Sequence, residues 1–188
     1  GTLTTDRPKP LIKVAGKALL DHALLIADGA GVTRRAINLH YLGDQIATHV
    51  TQRNVALSWE RDKILETGGG LRAALPLLGS GPVMTLNTDS IWTGANPLTQ
   101  LMTAWDDTKM DALLLLLPQK AARGHRGSGD FLLANDGRIS RANGAAGSVY
   151  LGAQIIRSDV LLAITEPVFS LNRPWDDLIA KGRAYGLI

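Results

Sequence analysis

Short apolar strand-like segments alternate with amphipathic helical segments along most of this chain, and that alternation constrains the fold more than any other feature. Residues 112–117 form the most apolar strand-like run, and leucine and alanine recur at helical spacing in segments such as residues 18–27. Parallel strands that are joined by crossover helices produce this order. The sequence therefore predicts an α/β protein with a mostly parallel central sheet, in which residues 112–117 form a central strand.

The predicted elements follow one another without an internal repeat or a dividing linker. Amphipathic periodicity predicts six helices, over residues 18–27, 42–50, 70–78, 97–107 and 158–164, and over a last segment that includes Pro174 and ends near residue 181. Strands are predicted over residues 36–40, 55–59, 83–86, 112–117, 131–133, 138–140 and 149–156, with Asn135-Asp136-Gly137 as a hairpin turn. Because 188 residues suit one domain with a sizeable core, we expect residues 1–188 to form a single domain.

Composition excludes several classes of protein. The net charge is only +3 and aromatic residues make up 5% of the chain, whereas a nucleic-acid-binding surface needs a basic face with interleaved aromatic side chains. The chain has no cysteine, so disulfides, thiolate metal sites and cysteine nucleophiles are excluded. The longest apolar run is too short to cross a bilayer. We therefore expect a cytoplasmic protein that binds neither nucleic acid nor a membrane.

One lysine is held on a stiff segment near the start of the chain. Pro8 fixes its own φ angle, and Pro10 pushes Lys9 toward an extended conformation. A positive charge that is held in this way suits an anionic ligand. The alternative interpretation is a surface turn with a solvated lysine.

Asp89 follows the buried strand that is predicted over residues 83–86, at the end of the segment Asn87-Thr88-Asp89. Ligands of open parallel sheets bind at the carboxyl ends of the strands, and Mg²⁺ prefers one or two carboxylates together with substrate phosphates. One interpretation is therefore that Asp89 ligates magnesium. The other is that Asp89 only ends the strand, with Asn87 and Thr88 as local hydrogen-bonding partners.

Three successive glycines lie at the predicted start of a helix, from Gly68 to Gly70, directly after Glu66 and Thr67. Glycine lets a ligand approach the backbone, and free N–H groups at a helix start bind anions or the polar edge of a base. A ligand-binding loop and a flexible hinge are both compatible with this run. The chain lacks the phosphate loop that ends in Gly-Lys-Ser/Thr and the dinucleotide glycine motif, which disfavours a kinase or a dehydrogenase.

A basic, glycine-rich segment is a further candidate for contact with phosphate. It contains Arg123, His125 and Arg126, and we expect it to form a loop that could close over a phosphate group.

Five segments together resemble the sugar-1-phosphate nucleotidylyltransferases, in the order in which that family has them. They are Thr5-Asp6-Arg7-Pro8-Lys9-Pro10-Leu11, Gly16-Lys17-Ala18-Leu19-Leu20, Leu65-Glu66-Thr67-Gly68-Gly69-Gly70, Asn87-Thr88-Asp89 and Gly129-Asp130-Phe131. The resemblance covers nearly the whole chain. Glu-Thr-Gly-Gly-Gly and Gly-Asp-Phe are characteristic of the bacterial branch of uridylyltransferases that acts on N-acetylmuramic acid 1-phosphate in peptidoglycan recycling.

The resemblance implies a Rossmann-like three-layer sandwich and a magnesium-dependent reaction in which UTP and a sugar 1-phosphate give a UDP-sugar and pyrophosphate. It implies that Lys9 contacts phosphate and that Asp89 ligates Mg²⁺. The nucleotide would be bound by Glu66, Thr67, Gly68, Gly69 and Asn87. The sugar side would be lined by Asp130, Gly152 and Asn172.

Two segments of the family are not found in residues 1–188, and both are catalytic. One is a glycine-rich loop with an arginine, which in the family precedes the segment around Lys9, and the other carries a second metal-binding aspartate near the C-terminal end. We expect both in the full-length protein. Two alternative functions remain open, a mannose-1-phosphate guanylyltransferase and a non-catalytic regulatory protein that binds nucleotide sugars on the same fold.

Overall fold

Helices and strands alternate in the computed structural model, which describes residues 5–122 and 127–188. The helices are α1 (Leu19–Gly29), α2 (Gly43–His49), α3 (Glu66–Leu78), α4 (Pro97–Ala104), α5 (Ser158–Leu162) and α6 (Asn172–Ala180). The strands are β1 (Lys13–Val14), β2 (Lys17–Ala18), β3 (Ala36–Leu39), β4 (Ala56–Trp59), β5 (Pro82–Leu86), β6 (Ala112–Pro118), β7 (Phe131–Leu133), β8 (Ile139–Arg141), β9 (Ser148–Arg157) and β10 (Ala184–Leu187).

The larger sheet has six strands in the order β10-β6-β9-β7-β8, and β5 pairs with the second half of β9. Strand β9 is antiparallel to β5, β6 and β7, and β10 is parallel to β6. The strands β5, β6, β7 and β10 therefore run in one direction, and β8 and β9 run in the other. Because four of the six strands run in the same direction, the predicted mostly parallel sheet is confirmed. Strand β8 runs in the opposite direction because a hairpin joins it to β7, and a hairpin requires an antiparallel pair.

Helices cover both faces of the larger sheet, which makes three layers. Leu114 and Leu116 of β6 pack on the side of α3, α5 and α6, whereas Leu113 and Leu115 pack on the side of α4. Side chains of a strand alternate between its faces, so a strand that is buried on both sides must be apolar at every position. This explains the run of leucines in β6 and confirms its predicted central place.

A second, smaller sheet contains β3 and β4, which are parallel. Its core is formed by α1 and α2, whose side chains Leu20, Leu24 and Ile46 pack with Leu39 of β3. A short 3-10 turn, Lys9–Leu11, precedes the antiparallel pair of β1 and β2. The predicted extended conformation of Lys9 is therefore wrong, because Lys9 is the first residue of this turn. In the described part of the chain, no helix is long and apolar enough to cross a membrane.

The structure differs from the predicted elements at two helix boundaries and in one additional strand of the larger sheet. Helix α3 begins at Glu66, whereas a start at residue 70 is predicted, so the glycine run lies inside the helix. Helix α4 ends at Ala104 and not near residue 107. Strand β10 is not predicted, because a short segment that contains Gly186 lacks a strong strand pattern; its pairing with β6 supplies the stabilisation that local propensity does not.

The substitution Leu114→Ala should lower the free energy of unfolding by about 2–5 kcal/mol, because the removed side chain leaves a cavity in a packed core. Leu114 is fully buried, whereas Leu162 at the end of α5 is 63% exposed. The control Leu162→Ala should change the free energy of unfolding by less than about 0.5 kcal/mol. Urea denaturation of both variants measures the difference, and equal losses would contradict the central position of β6.

Candidate active site

One cavity of about 610 Å³ lies between β3 and β5, and the turn that contains Lys9 and the residue that follows β4 also line it. Five of the residues that the sequence singled out line this cavity, namely Lys9, Glu66, Thr67, Asn87 and Asp89. Three separate segments of sequence therefore meet at one edge of the sheets, as expected for an open parallel arrangement.

Lys9 and Asp89 form an ion pair at the rim of this cavity. The distance between Lys9 Nζ and Asp89 Oδ2 is 3.2 Å, and the two side chains are 61% and 46% exposed. The backbone of this segment is held in place because Pro8 is buried and its carbonyl oxygen accepts a hydrogen bond from the N–H of Leu11. An exposed ion pair contributes only about 0–1 kcal/mol, so a charged ligand can separate the two groups at little cost.

Asn87 is positioned by the pairing of β5 with β9. Its N–H donates to the carbonyl oxygen of Gly152, at 2.8 Å. Gly152 has a φ of +81°, and a Cβ atom at this position would lie 2.8 Å from Cβ of Asn87. Only glycine fits here without displacing Asn87, because the conformation is left-handed and the space is already filled.

The glycine run at the start of α3 serves close packing. The N–H groups of Gly68 and Gly69 both donate to the carbonyl oxygen of Phe169, at 2.9 and 3.0 Å. A Cβ atom at Gly68 would overlap the ring of Phe169, and one at Gly69 would overlap the carbonyl oxygen of Pro167. The prediction that these N–H groups are free for a ligand is therefore wrong, because a neighbouring backbone segment already uses them.

Glu66 and Thr67 lie where α3 meets the cavity. Glu66 is exposed and has a φ of +61°, a left-handed conformation that side chains other than glycine and asparagine rarely adopt and that is often found at functional sites. The Thr67 hydroxyl accepts a hydrogen bond from the N–H of Leu171, at 3.0 Å. Thr67 therefore fixes the start of α3 to the segment before α6.

Asp130 and Asn172 do not line the cavity that contains Lys9. Asp130 Oδ2 accepts a hydrogen bond from the N–H of Tyr150, at 2.8 Å. Asn172 Oδ1 accepts one from Nη2 of Arg141, at 3.0 Å. The structure thus gives these two of the three predicted sugar-side residues a hydrogen-bonding partner within the protein.

Glu60 is a polar residue of the cavity that the sequence analysis missed. Its Oε2 atom accepts a hydrogen bond from the N–H of Leu65, at 2.9 Å, and its Oε1 atom accepts one from Asn38 Nδ2, at 3.3 Å. Glu60 directly follows β4, just as the segment with Asp89 follows β5. Glu60 thus lies at a strand end, which is the same sequence signal that singles out Asp89.

The carboxylate of Asp89 at the cavity fits a magnesium ion whose other ligands come from a bound substrate. Across residues 5–122 and 127–188, no group of three or more His, Asp or Glu side chains is placed to hold a metal ion. Mg²⁺ does not need such a group, since it is commonly bound by one or two carboxylates together with phosphates and water. The half-exposed carboxylate of Asp89 suits that role.

The predicted phosphate contacts Arg123, His125 and Arg126 lie outside the described residues.

Comparison with known proteins assigns the family. Residues 4–165 match the MobA-like NTP transferase domain. The chain belongs to this family. Its members are nucleotidyltransferases, so the protein is placed among the enzymes that the sequence motifs indicated.

Two curated relatives are similar to this chain in sequence, and one solved structure is similar to it in fold. It is 39% identical over 197 residues to the N-acetylmuramate alpha-1-phosphate uridylyltransferase of Caulobacter vibrioides, which covers 98% of this chain and 81% of the relative. It is 34% identical over 164 residues to the enzyme of the same name from Neisseria meningitidis, which covers 84% of this chain and 70% of the relative. HddC from Yersinia pseudotuberculosis has the same fold, with a TM-score of 0.75, 19% identity, and coverage of 97% of this chain and 81% of that chain.

The substitution Gly152→Ala should lower kcat/KM for nucleotidyl transfer by about tenfold or more, because a small displacement of a positioning group is costly in catalysis. The matched control is Gly144→Ala. Gly144 has a φ of +90° with no atom within 4 Å of the added Cβ, so it carries the backbone strain without the displacement of Asn87. Both variants should lose stability in thermal denaturation, and only Gly152→Ala should lose activity; equal kcat/KM values in the two variants would contradict the role of Gly152.

Proposed function

We propose that this protein catalyses the reaction of UTP with N-acetylmuramic acid 1-phosphate to give the UDP-sugar and pyrophosphate. The observation that carries this proposal is the ion pair of Lys9 and Asp89, 3.2 Å apart, on the rim of the cavity beside Asn87. A metal-bound triphosphate requires a cation that binds its phosphates and a carboxylate that binds its metal ion, and this pair supplies one of each. The two uridylyltransferase relatives support the choice of nucleotide and sugar.

The reaction is a direct displacement at phosphorus. An oxygen of the sugar phosphate attacks the α-phosphorus of UTP, the bond from that phosphorus to the oxygen that bridges to the β-phosphate breaks, and pyrophosphate leaves with the electron pair. No covalent intermediate is needed, so the protein has to align the two substrates and neutralise charge. Because UTP is the donor, we propose that the reaction takes place in the cytoplasm.

Lys9 and Asp89 exchange partners when the substrate binds. Lys9 would leave the carboxylate and contact a phosphate oxygen, and Asp89 would then hold a magnesium ion. Magnesium, when bound, neutralises the phosphate charge that grows during the displacement. Because Pro8 and Pro10 restrict the backbone beside Lys9, less freedom is lost when the lysine binds the phosphate.

Glu66, Thr67 and Asn87 are proposed to bind the nucleoside, since all three line the cavity. Gly68 and Gly69 act indirectly, because their close packing on Phe169 sets the position of Glu66 and Thr67.

The sugar side is assigned to Asp130, Gly152 and Asn172. Asp130 is exposed and uses one carboxylate oxygen within the protein, which leaves the other for a sugar hydroxyl, whereas Asn172 has to exchange its bond with Arg141.

The experiment that tests the proposal is pyrophosphate release by the complete gene product in magnesium. UTP and GTP are each combined with the 1-phosphates of N-acetylmuramic acid, N-acetylglucosamine, glucose and mannose. We expect the highest kcat/KM with UTP and N-acetylmuramic acid 1-phosphate. Release with GTP and mannose 1-phosphate would identify a guanylyltransferase, and binding of UDP-sugars without release from any pair would identify a regulatory protein.

The substitution Asp89→Asn should lower kcat by at least about 100-fold, since even the residues that only support metal ligands are worth roughly 10–100-fold. The fold should be unchanged, because Asp89 is half-exposed on the rim. Asp159→Asn is the control, at an exposed carboxylate on α5 whose partner is Arg157. Steady-state kinetics at several magnesium concentrations measure both variants, and full activity of Asp89→Asn would remove this residue from the reaction.

The substitution Lys9→Ala should lower kcat/KM by about 10–100-fold, which corresponds to the loss of one charge-assisted hydrogen bond to phosphate. Lys17→Ala, at an exposed lysine of β2 that does not line the cavity, should leave kcat/KM unchanged. The affinity for magnesium-bound UTP is measured by calorimetry in parallel. Equal kinetic constants for the two variants would show that Lys9 does not touch the substrate.

A further inference from the structure

Strands β5 and β7 lie one after the other along the same edge of β9. One edge of β9 pairs with β6 from Ser148 to Ile156. The other edge pairs with β5 through residues 153–157 and with β7 at Ser148. Because β5 and β7 run in the same direction, the carboxyl end of β5 faces the amino end of β7 across a short gap on this edge.

This gap is bordered by residues that the proposed function assigns to the nucleoside and the sugar. On one side, Asn87 follows β5 and donates its N–H to the carbonyl oxygen of Gly152. On the other side, Asp130 precedes β7 and accepts a hydrogen bond from the N–H of Tyr150. A sugar that contacts both Asp130 and Gly152 therefore lies over residues 150–152 of β9.

Helix α6 begins at this same end of the larger sheet. The residue before it, Leu171, donates its N–H to the hydroxyl of Thr67, which lines the cavity at the start of α3. Strand β10, which follows α6, begins at the opposite end of the sheet, where Ala184 pairs with Ala112 at the start of β6. The first turn of α6 is thus the part of this helix that lies beside the sugar side.

Arg141 connects the first turns of α6 with the hairpin of β7 and β8. It pairs in register with Phe131, and its guanidinium carbon lies 4.9 Å from the centre of the Phe131 ring and 5.9 Å from that of Trp175. Its Nε donates to Asp176 Oδ1 at 2.7 Å, and its Nη2 donates to Asn172 Oδ1 at 3.0 Å. The two rings and the carboxylate therefore fix the plane of the guanidinium.

The end of this guanidinium is available to a ligand. In the described part of the chain, no hydrogen bond uses Nη1, and the Arg141 side chain is 27% exposed. A guanidinium binds a carboxylate through two parallel N–H groups. Because Asp176 occupies Nε, those two groups are on Nη1 and Nη2, and the pair is complete once Asn172 exchanges its bond with Nη2 for a sugar hydroxyl.

N-acetylmuramic acid differs from N-acetylglucosamine by an ether-linked lactyl group, which ends in a carboxylate. A site that is built to pair with such a group rejects the analogue without it, because its own polar groups are then left unpaired. We propose that Arg141 determines the sugar specificity, by binding the lactyl carboxylate of the sugar 1-phosphate through Nη1 and Nη2. This inference rests on the proposed function and adds the residue that selects the sugar.

Two other arginines of this region carry the same charge in a different setting. Arg173 lies on α6 and pairs with Glu166, and Arg138 lies before β8 and pairs with Asp136. Both side chains are more exposed than that of Arg141. Among the described residues, neither guanidinium lies over an aromatic ring. A carboxylate gains little from such solvated groups, so Arg173→Gln is a matched control.

The test compares two substrates that differ only in the charge of the lactyl group. The complete gene product is assayed in magnesium with UTP and either N-acetylmuramic acid 1-phosphate or its lactyl methyl ester. The unchanged protein and Arg173→Gln should prefer the free acid by about 10–100-fold in kcat/KM, the value of a charge-assisted hydrogen bond. Arg141→Gln should lose this preference, and its kcat/KM for the methyl ester should remain close to that of the unchanged protein.

Arg141→Lys is a second variant, which keeps the charge but not the planar pair of donors. It should retain only part of the preference, and thermal denaturation checks that each variant is folded. Equal kcat/KM values for the two substrates in the unchanged protein, or a full preference in Arg141→Gln or Arg141→Lys, would overturn this inference and leave the proposed transfer to a sugar 1-phosphate standing. No pyrophosphate release from either substrate would refute the proposed function, and this inference with it.

Discussion

The antiparallel pairing of β5 with β9 is the contact on which the rest of the site depends. It fixes β5 in the larger sheet with Leu86 opposite Ala153, and it places Asn87 against Gly152. From there the chain runs directly to Asp89, which meets Lys9 at 3.2 Å. The opposite edge of β5 forms one wall of the cavity. A change in this register would therefore move the candidate metal ligand, the nucleoside contact and the cavity wall together.

A second contact determines the shape of the nucleotide side. The start of α3 lies so close to the segment around Phe169 that only glycine fits at Gly68 and Gly69. The carbonyl oxygen of Phe169 accepts both of their N–H groups. Glu66 is left at the cavity rim in a left-handed conformation. The glycines thus influence binding through the position of their neighbours, and this indirect role explains why they are found beside a ligand site without contacting its cavity.

Local sequence patterns were sufficient for the fold class and for part of the site. The leucine run of β6 has to be buried on both faces, which requires helices on both sides of the sheet. Asp89 follows a buried strand, and Lys9 lies between two prolines, so both positions could be identified from the sequence. The ion pair between them could not be predicted from the sequence, because residues that are 80 positions apart meet only through the tertiary fold.

The features that sequence reasoning missed depend on contacts between distant segments. The N–H groups of Gly68 and Gly69 were expected to be free, but their acceptor, Phe169, lies about 100 residues further along the chain. Strand β10 has little strand propensity of its own and is formed by pairing with β6. The hydrogen bonds of Asp130 with Tyr150 and of Asn172 with Arg141 likewise become visible only in the folded structure.

The most direct test of the account is a crystal structure of the complete gene product with magnesium and a non-hydrolysable UTP analogue. We expect an Asp89 carboxylate oxygen to lie about 2.1 Å from the metal. We also expect Lys9 Nζ to contact a phosphate oxygen and to lie more than about 4 Å from Asp89. A bound triphosphate that leaves the pair of Lys9 and Asp89 intact, with the metal held by other residues, would contradict the proposed roles of both residues.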